Sequence, residues 1–211
     1  MLGANDGLVS TASLIVGVAA AATGRSEIMI AGLAALVAGA MSMAAGEYVS
    51  VSSQADIEQA DLARERKELE ETPEAEEAEL AGIYRQRGLD ADTARIVAQQ
   101  MMAKDALAAH ARDELGISEF TTARPIQAAF ASAGAFAAGA AAPLVLAGLV
   151  AEGMIIPVVT VASVVLLTVL GCLGAKAGGA PMLRAAIRVT FWGAFAMALT
   201  AGVGRLVGTA I

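Results

Sequence analysis

The chain has 211 residues, of which 57% are hydrophobic, and its formal net charge is −7 at pH 7. Soluble globular proteins are about 45–50% apolar, so this composition favours a membrane protein. The acidic balance argues against a nucleic-acid-binding protein, which needs a basic face. The single cysteine, Cys172, excludes both a disulfide framework and a cysteine-based metal motif.

The charged residues are concentrated in one part of the chain. Between Val51 and Pro125 lie 17 of the 21 acidic residues and nine of the 14 lysines and arginines. Long apolar runs flank this part on both sides. We therefore predict an all-α, multi-pass membrane protein with five transmembrane helices. Two spans lie in residues 1–50, a helical aqueous insert in 51–124, and three spans in 125–211.

The first two predicted spans cover residues 6–23 and 28–50, each near the ~20 residues that cross a bilayer. Small residues recur in them every seven positions and form one stripe on each helix, at Gly3, Ser10, Gly17 and Gly24, and at Gly32, Gly39 and Gly46. Ordinary helix packing, a subunit interface and a transport path all use such stripes. No basic segment precedes the first span, so we expect no cleavable signal peptide. Because the chain starts almost at the first span, we also expect that a short preceding segment is missing.

The insert is predicted to be helical throughout, and its first helix continues the second span without a flexible linker. We therefore expect its charges to be held at a fixed height above the bilayer. The Thr72-Pro73 pair ends that helix, and Pro73 can begin the next one. The first predicted helix of the insert ends at Glu71. Three more are predicted at residues 73–87, at 91–102 with Asp90 as N-cap, and at 105–115.

The last three spans are predicted at residues 126–149, 154–175 and 185–207. If the insert is cytoplasmic, the short loop 176–188 lies on the same side, and 12 of the 14 lysines and arginines are inside. This charge bias predicts a cytoplasmic insert and an external C-terminus.

Polar side chains within the spans are the first candidate functional residues. Asp6 opens the first span, and Glu47 closes the second, close to Met43. An acid at the centre of a membrane helix costs roughly 2.5–3.5 kcal/mol and is by default functional. Both acids, however, lie near a span end, where water reduces this cost. Met43 is either an apolar filler or a soft metal ligand.

The acidic insert carries the second set of candidates. Residues three or four apart share a helix face, which pairs Glu65 with Glu68, Glu76 with Glu79, and His110 with Glu114. Such oxygen and nitrogen ligands suit Fe²⁺, Mn²⁺ or Zn²⁺ better than Ca²⁺. The alternative is a solvated helix face whose acids are balanced by basic neighbours, namely Arg64, Arg66 and Lys67.

Whole segments of the chain resemble the vacuolar iron transporter family in its bacterial form. The resemblance rests on GANDGLVSTASLIVGVAAA, AGAMSMAAGEYVSVSSQAD, ELEETPEAEEAEL, AAHARDELGI and the C-terminal FWGAFAMALTAGVGRLVG, in this order. It implies a homodimeric five-span transporter of the cell membrane, not an enzyme, that moves Fe²⁺ and often Mn²⁺ out of the cytosol in exchange for protons. It implies no prosthetic group.

The resemblance also implies roles for individual residues. Asp6 and Met43 match the membrane ligands of the family, and Glu47 stands where some relatives carry glycine. The cytoplasmic metal-binding carboxylates match Glu65, Glu68, Glu76, Glu79 and Glu114. His110 stands where some relatives have a methionine ligand, which changes the softness of the site but keeps a metal-capable side chain.

Two other functions are compatible with the residues alone. A membrane-anchored metal store or ferroxidase would place the chemistry in the insert, although the insert has no Glu-x-x-His motif of the di-iron bundles. A structural or assembly membrane protein would need neither Asp6 nor the insert ligands. Replacing Asp6 by alanine distinguishes a transporter, which is inactivated, from both alternatives.

Overall fold

The structure is a computed structural model that describes residues 2–21, 24–117 and 123–209. The regular structure of these residues is helical, and five of the helices are long and apolar enough to cross a membrane. The α-helices are α1 (Leu2–Ala20), α2 (Arg25–Glu71), α3 (Pro73–Gln86), α4 (Ala91–Asp113), α5 (Pro125–Leu149), α6 (Ile155–Ala177) and α7 (Met182–Gly208). The predicted all-α, multi-pass membrane class is confirmed.

The chain divides into two compact units. The transmembrane unit comprises residues 1–48 and 126–211, and the insert unit comprises residues 49–125. Helix α2 contributes its apolar first half to the transmembrane unit and its charged second half to the insert unit.

Helix α1 is the central helix of the transmembrane unit. Half of its apolar stretch is buried, against 11–28% in the other four candidate spans. It packs against α6 and α7, and its side chains Ala12, Ile15 and Val16 form a core with Val159 of α6 and Met197 of α7. Helix α1 is therefore the most buried of the five candidate spans.

Glycines bring α1 into backbone contact with two neighbours. A Cβ atom on Gly7 would lie 2.1 Å from the carbonyl oxygen of Phe136 in α5. One on Gly204 of α7 would lie 2.0 Å from the carbonyl oxygen of Gly17 in α1. Small residues permit such approach, and the packing it allows holds membrane helices together where apolar side chains gain nothing over lipid.

The predicted glycine stripes take part mainly in packing within the chain. A Cβ atom on Gly3, Gly17, Gly32 or Gly39 would come within 3.4 Å of another helix. Ordinary helix packing therefore accounts for these four positions. A Cβ atom added at Gly46 would meet no side chain or neighbouring helix within 4 Å in the described part of the chain.

Arg25 closes the C-terminal end of α5. Its guanidinium donates hydrogen bonds to the carbonyl oxygens of Gly148, at 2.7 Å, and of Val150. The last carbonyl groups of a helix lack partners within the helix, and a cation there also opposes the negative end of the helix dipole. Arg25 therefore links the start of α2 to the end of α5.

The helix boundaries of the insert unit follow its proline and aspartate residues. Helix α2 ends at Glu71, and Pro73 is the first residue of α3, as the sequence predicts. Asp90 caps α4 by accepting hydrogen bonds from the backbone N–H groups of Asp92 and Thr93, at 3.1 and 3.0 Å. The predicted N-cap is therefore confirmed.

Helix α4 is broken once. The backbone of Asp105 is extended, with φ −164° and ψ 99°, and its Oδ1 atom accepts a hydrogen bond from the N–H of Ala108 at 2.9 Å. The two predicted helices, 91–102 and 105–115, thus correspond to the two segments of α4 on either side of this break, and each has an aspartate at its N-terminus. The second half begins a new turn just before His110.

The core of the insert unit lies between α3 and the two halves of α4. It consists of buried apolar and aromatic side chains, Leu80, Ala81, Tyr84, Ala94, Ala98 and Ala109. Alanines on α4 leave room for the larger side chains of α3. This packing brings the beginning of α3 close to the end of α4.

Candidate metal site

Four side chains of the insert unit meet at one point. Glu65 of α2, Glu76 of α3, His110 of α4 and Glu114 at the end of α4 each contribute one potential ligand atom, and these atoms all lie within 4.8 Å of one another. We call these residues the Glu/His cluster. No other group of three or more His, Cys, Asp or Glu side chains is gathered in this way in the described residues.

Local structure explains how the sequence brings these residues together. The turn at Thr72-Pro73 separates α2 from α3, and Glu65 and Glu76 on either side of it place ligand atoms within 4.8 Å of each other. His110 and Glu114 lie four residues apart and therefore on one face of the last turns of α4. Three helices thus supply the four groups.

The imidazole of His110 is the centre of the cluster. Its Nδ1 atom lies 2.8 Å from Oε2 of Glu114, 3.0 Å from Oε1 of Glu65 and 3.9 Å from Oε2 of Glu76. One ring nitrogen carries at most one proton. It forms its hydrogen bond with Glu114, and the buried Oε1 atom of Glu65 has no hydrogen-bond partner among the described residues.

Burial makes this arrangement electrostatically costly without a cation. His110, Glu65 and Glu76 are 0%, 2% and 7% exposed. Burial is the main cause that raises the pKa of Glu65 above its ordinary value, and the charge of Glu114 adds to it. Burial likewise raises the pKa of Glu76, followed by the charge of Glu79, whereas His110 lowers both pKa values.

Two of the six predicted insert ligands lie outside the cluster. Glu68 and Glu79 are exposed, although each shares a helix face with a member of the cluster. Their negative charges still contribute to the raised pKa values of Glu65 and Glu76. The structure therefore gathers four of the six residues and leaves these two at the surface.

A second polar group lies beside the cluster, and the sequence analysis did not identify it. The carboxylate of Asp113 accepts hydrogen bonds from Tyr84 at 2.9 Å and from Arg87 and Arg112 at 2.5 Å each. We call these four residues the Asp113 network. Burial raises the pKa of Asp113, but the hydrogen bonds from Arg112, Arg87 and Tyr84 outweigh it and lower the pKa to about 2.

The candidate residues of the transmembrane unit are more open. Asp6 and Glu47 are exposed and Met43 is partly buried in the single chain. Ser10 donates a hydrogen bond of 2.6 Å to the backbone carbonyl of Asp6, not to its carboxylate. Their role as membrane ligands stays a prediction.

The chemistry of the cluster matches a divalent transition metal. Three carboxylates and one imidazole can supply four ligand atoms to one metal ion. The imidazole nitrogen favours transition metals over Ca²⁺ and Mg²⁺. A cation would also give a partner to Oε1 of Glu65, which is buried without a hydrogen bond among the described residues. The residues present therefore fit an ion of the Fe²⁺, Mn²⁺ or Zn²⁺ type.

Comparison with known proteins gives consistent matches over nearly the whole chain. Residues 1–205 match the family described as the VIT family. The chain is 49% identical over 207 residues to the "Vacuolar iron transporter" of Acanthamoeba castellanii, covering 98% of this chain and 76% of that protein. It is 41% identical over 209 residues to "Vacuolar iron transporter homolog 2" of Arabidopsis thaliana, covering 99% of this chain and 82% of that protein.

Proposed function

Because the chain belongs to the VIT family, we propose that it is a membrane transporter of divalent iron and manganese that exports them from the cytosol. The relatives that it matches are named as iron transporters. The proposed protein is a homodimer in the cell membrane, has no prosthetic group and has no catalytic residues.

The Glu/His cluster is the observation that carries this proposal. Three carboxylates that meet at one imidazole repel one another, and at least two of them are buried. A doubly charged ion replaces this repulsion by attraction at the separations observed, and it supplies Glu65 with the partner that it lacks. The cluster therefore receives the ion from the cytosol.

The exposed acids extend this role to the surface. Glu68 and Glu79 lie beside the cluster and raise the local concentration of cations at its entrance. Asp6, Met43 and Glu47 are the proposed ligands within the membrane, where water is scarce and a carboxylate replaces part of the ion's hydration shell.

Proton exchange follows from the chemistry of carboxylate ligands. A carboxylate must lose its proton to bind a metal ion, so metal binding and proton release are linked. If the membrane carboxylates regain protons from the outer side after the ion leaves, each cycle carries protons inward. The positive-inside distribution of lysines and arginines supports a cytoplasmic insert and hence export.

Transport by purified protein in lipid vesicles tests the proposal. Wild-type protein is expected to move Fe²⁺ and Mn²⁺ but not Ca²⁺, and Asp6→Asn is expected to reduce the rate at least tenfold because the membrane ligand is lost. Glu27→Gln, which changes another exposed acid near a membrane-helix end, serves as the matched control and should retain the wild-type rate.

The possible outcomes separate the proposed functions. Equal rates for wild type and Asp6→Asn would contradict a transport path through Asp6. Metal binding without any transport would instead identify a membrane-anchored metal store. A rate that does not change when a pH difference is imposed across the vesicle membrane would reject proton exchange.

A further inference from the structure

Glu114 differs from the other members of the Glu/His cluster in how it is held. Its side chain is 26% exposed, against at most 9% for those of Glu65, Glu76 and His110. It is the C-cap residue of α4, with φ −99° and ψ −57°, directly after the last residue of the helix. A ligand at a helix end needs additional contacts to keep a single position, because helix ends fray.

Backbone hydrogen bonds provide part of this support. The N–H groups of Glu114 and Leu115 both donate to the carbonyl oxygen of His110, at 2.9 and 3.2 Å. Gly116, with φ +69°, then turns the chain in a conformation that favours glycine. These bonds close the last turn, but none of them attaches that turn to another helix.

Asp113 provides the attachment to α3. Arg87 donates one hydrogen bond to the Asp113 carboxylate and a second, at 2.9 Å, to the Asp113 backbone carbonyl. Tyr84, which belongs to the core between α3 and α4, donates to the other carboxylate oxygen. The end of α3 therefore holds both the side chain and the backbone of the residue that directly precedes Glu114.

We propose that Asp113 is a positioning residue for metal binding, which holds the Glu114 carboxylate in the Glu/His cluster by joining the last turn of α4 to Tyr84 and Arg87 of α3. This inference rests on the proposed metal-binding role of the cluster. Asp113 is not a member of the Glu/His cluster, and its carboxylate accepts hydrogen bonds from Tyr84, Arg87 and Arg112. It acts only through the position of its neighbour.

Metal binding to the full-length protein in detergent tests this role. Mn²⁺ is the probe, because it resists oxidation and the electron paramagnetic resonance signal of unbound Mn²⁺ gives the dissociation constant. Asp113→Asn is expected to weaken binding about tenfold, at the lower end of the range for residues that orient metal ligands. Tyr84→Phe removes a single oxygen atom of the network and is expected to act in the same direction to a smaller extent.

A double-mutant cycle separates positioning from general stabilisation. If Asp113 acts through Glu114, Asp113→Asn should weaken binding in wild type but have no further effect in a Glu114→Gln background. The effect of Asp113→Asn on the thermal unfolding temperature should be the same in the wild-type and the Glu114→Gln background. Gln99→Ala is the matched control, since it removes the 2.7 Å hydrogen bond from Gln99 to Glu77 between α4 and α3, and it should lower stability without changing Mn²⁺ affinity.

The results distinguish this inference from the proposed function. If His110→Ala abolishes Mn²⁺ binding whereas Asp113→Asn and Tyr84→Phe leave it unchanged, the positioning role is wrong and the metal site stands. Independent, additive effects of Asp113→Asn and Glu114→Gln would also contradict positioning. If His110→Ala and Glu65→Gln bind Mn²⁺ as tightly as wild type, the cluster is not the metal site, and both proposals fail.

Discussion

The carboxylate of Glu65 suits the proposed metal site but lowers the stability of the metal-free protein. It is buried, lies close to two other carboxylates and has no hydrogen-bond partner for Oε1 in the described part of the chain. A buried charge without a partner destabilises the folded state. Glu65 therefore costs stability in the metal-free protein, and a cation bound at the proposed site would remove that cost.

We predict that Glu65→Gln stabilises the metal-free protein at pH 7.5 by on the order of 1 kcal/mol, a usual size for a single substitution. The pKa of Glu65 is raised in the folded state above the ordinary carboxyl pKa of 4.5. Below pH 4.5 the carboxyl group is protonated in both the folded and the unfolded state and costs no stability. As the pH rises through the raised pKa of the folded state, wild type loses stability because the buried group ionises. The difference between the two proteins should therefore shrink as the pH falls from 7.5 toward 4.5. Thermal unfolding at several pH values measures it.

Glu68→Gln is the matched control, because Glu68 lies one helical turn from Glu65 and is exposed. It should change the unfolding temperature little at any pH. With saturating Mn²⁺ at pH 7.5 the order should reverse, and wild type should become more stable than Glu65→Gln by mass action. A wild type that stays less stable than Glu65→Gln with metal would contradict the proposed site.

Spacing predicted which faces carry the acids but not which acids lie inside. Glu65 and Glu68 share one face of α2, as Glu76 and Glu79 share one face of α3, yet in each pair only the first is buried. Residues three apart differ by about 60° around a helix, and the position of α4 decides which one faces the imidazole. Asp113 was missed because its importance depends on Arg87 and Tyr84, which are remote in sequence.

At the scale of secondary structure, α4 works as two helices with separate aspartate caps. Asp90 caps the first half, which packs against α3, and Asp105 caps the second half, which carries His110. The loss of an N-cap typically costs about 1 kcal/mol. The two caps should therefore have similar effects on stability but different effects on the Glu/His cluster.

We predict that Asp105→Ala lowers Mn²⁺ affinity severalfold as well as lowering the unfolding temperature, because the half-helix that bears His110 loses its first hydrogen bond. Asp90→Ala should lower the unfolding temperature to a similar extent and leave Mn²⁺ affinity unchanged. Calorimetry and Mn²⁺ titration of both variants measure these effects. Equal affinities of both variants would show that the break at Asp105 does not support the site.

Helix ends were predictable where a residue has a local physical effect. Pro73 cannot continue a helix, Asp90 supplies an N-cap, and Gly88 and Gly116 adopt positive φ angles. The break in α4 was predicted close to its position, between residues 102 and 105, and the extended backbone of Asp105 separates two helical segments there. A single extended residue suffices because Asp105 caps the second half at once.

At the scale of the whole molecule, close approach of backbones organises the transmembrane unit. The α1 helix meets α5 at Gly7 and α7 at Gly17, at distances that leave no space for a Cβ atom. The sequence predicted the spans from their length and hydropathy, but it could not identify α1 as the central helix. Lipid-facing and protein-facing positions are both apolar, so composition alone does not reveal the neighbours.

We predict that Gly204→Ala lowers the thermal stability of the detergent-solubilised protein by about 1–3 kcal/mol, as overpacking does. The added Cβ atom would lie 2.0 Å from the backbone oxygen of Gly17, so the two helices must separate. Gly202→Ala is the matched control on the same helix, where the added atom has no neighbour within 4 Å. It should be neutral or slightly stabilising, since alanine favours a helix over glycine by roughly 0.5–1 kcal/mol.

The orientation of the His110 ring has a consequence for how long an ion stays bound. Because Nδ1 faces the carboxylates, coordination by His110 selects the tautomer that carries its proton on Nε2. Nε2 is buried and has no acceptor among the described residues. In the metal-bound state of the proposed site Nε2 would be a donor without an acceptor, whereas in the metal-free state, with the proton on Nδ1, it is an acceptor without a donor. Binding would therefore exchange one unsatisfied group for another, and the strength of retention would depend on the carboxylates.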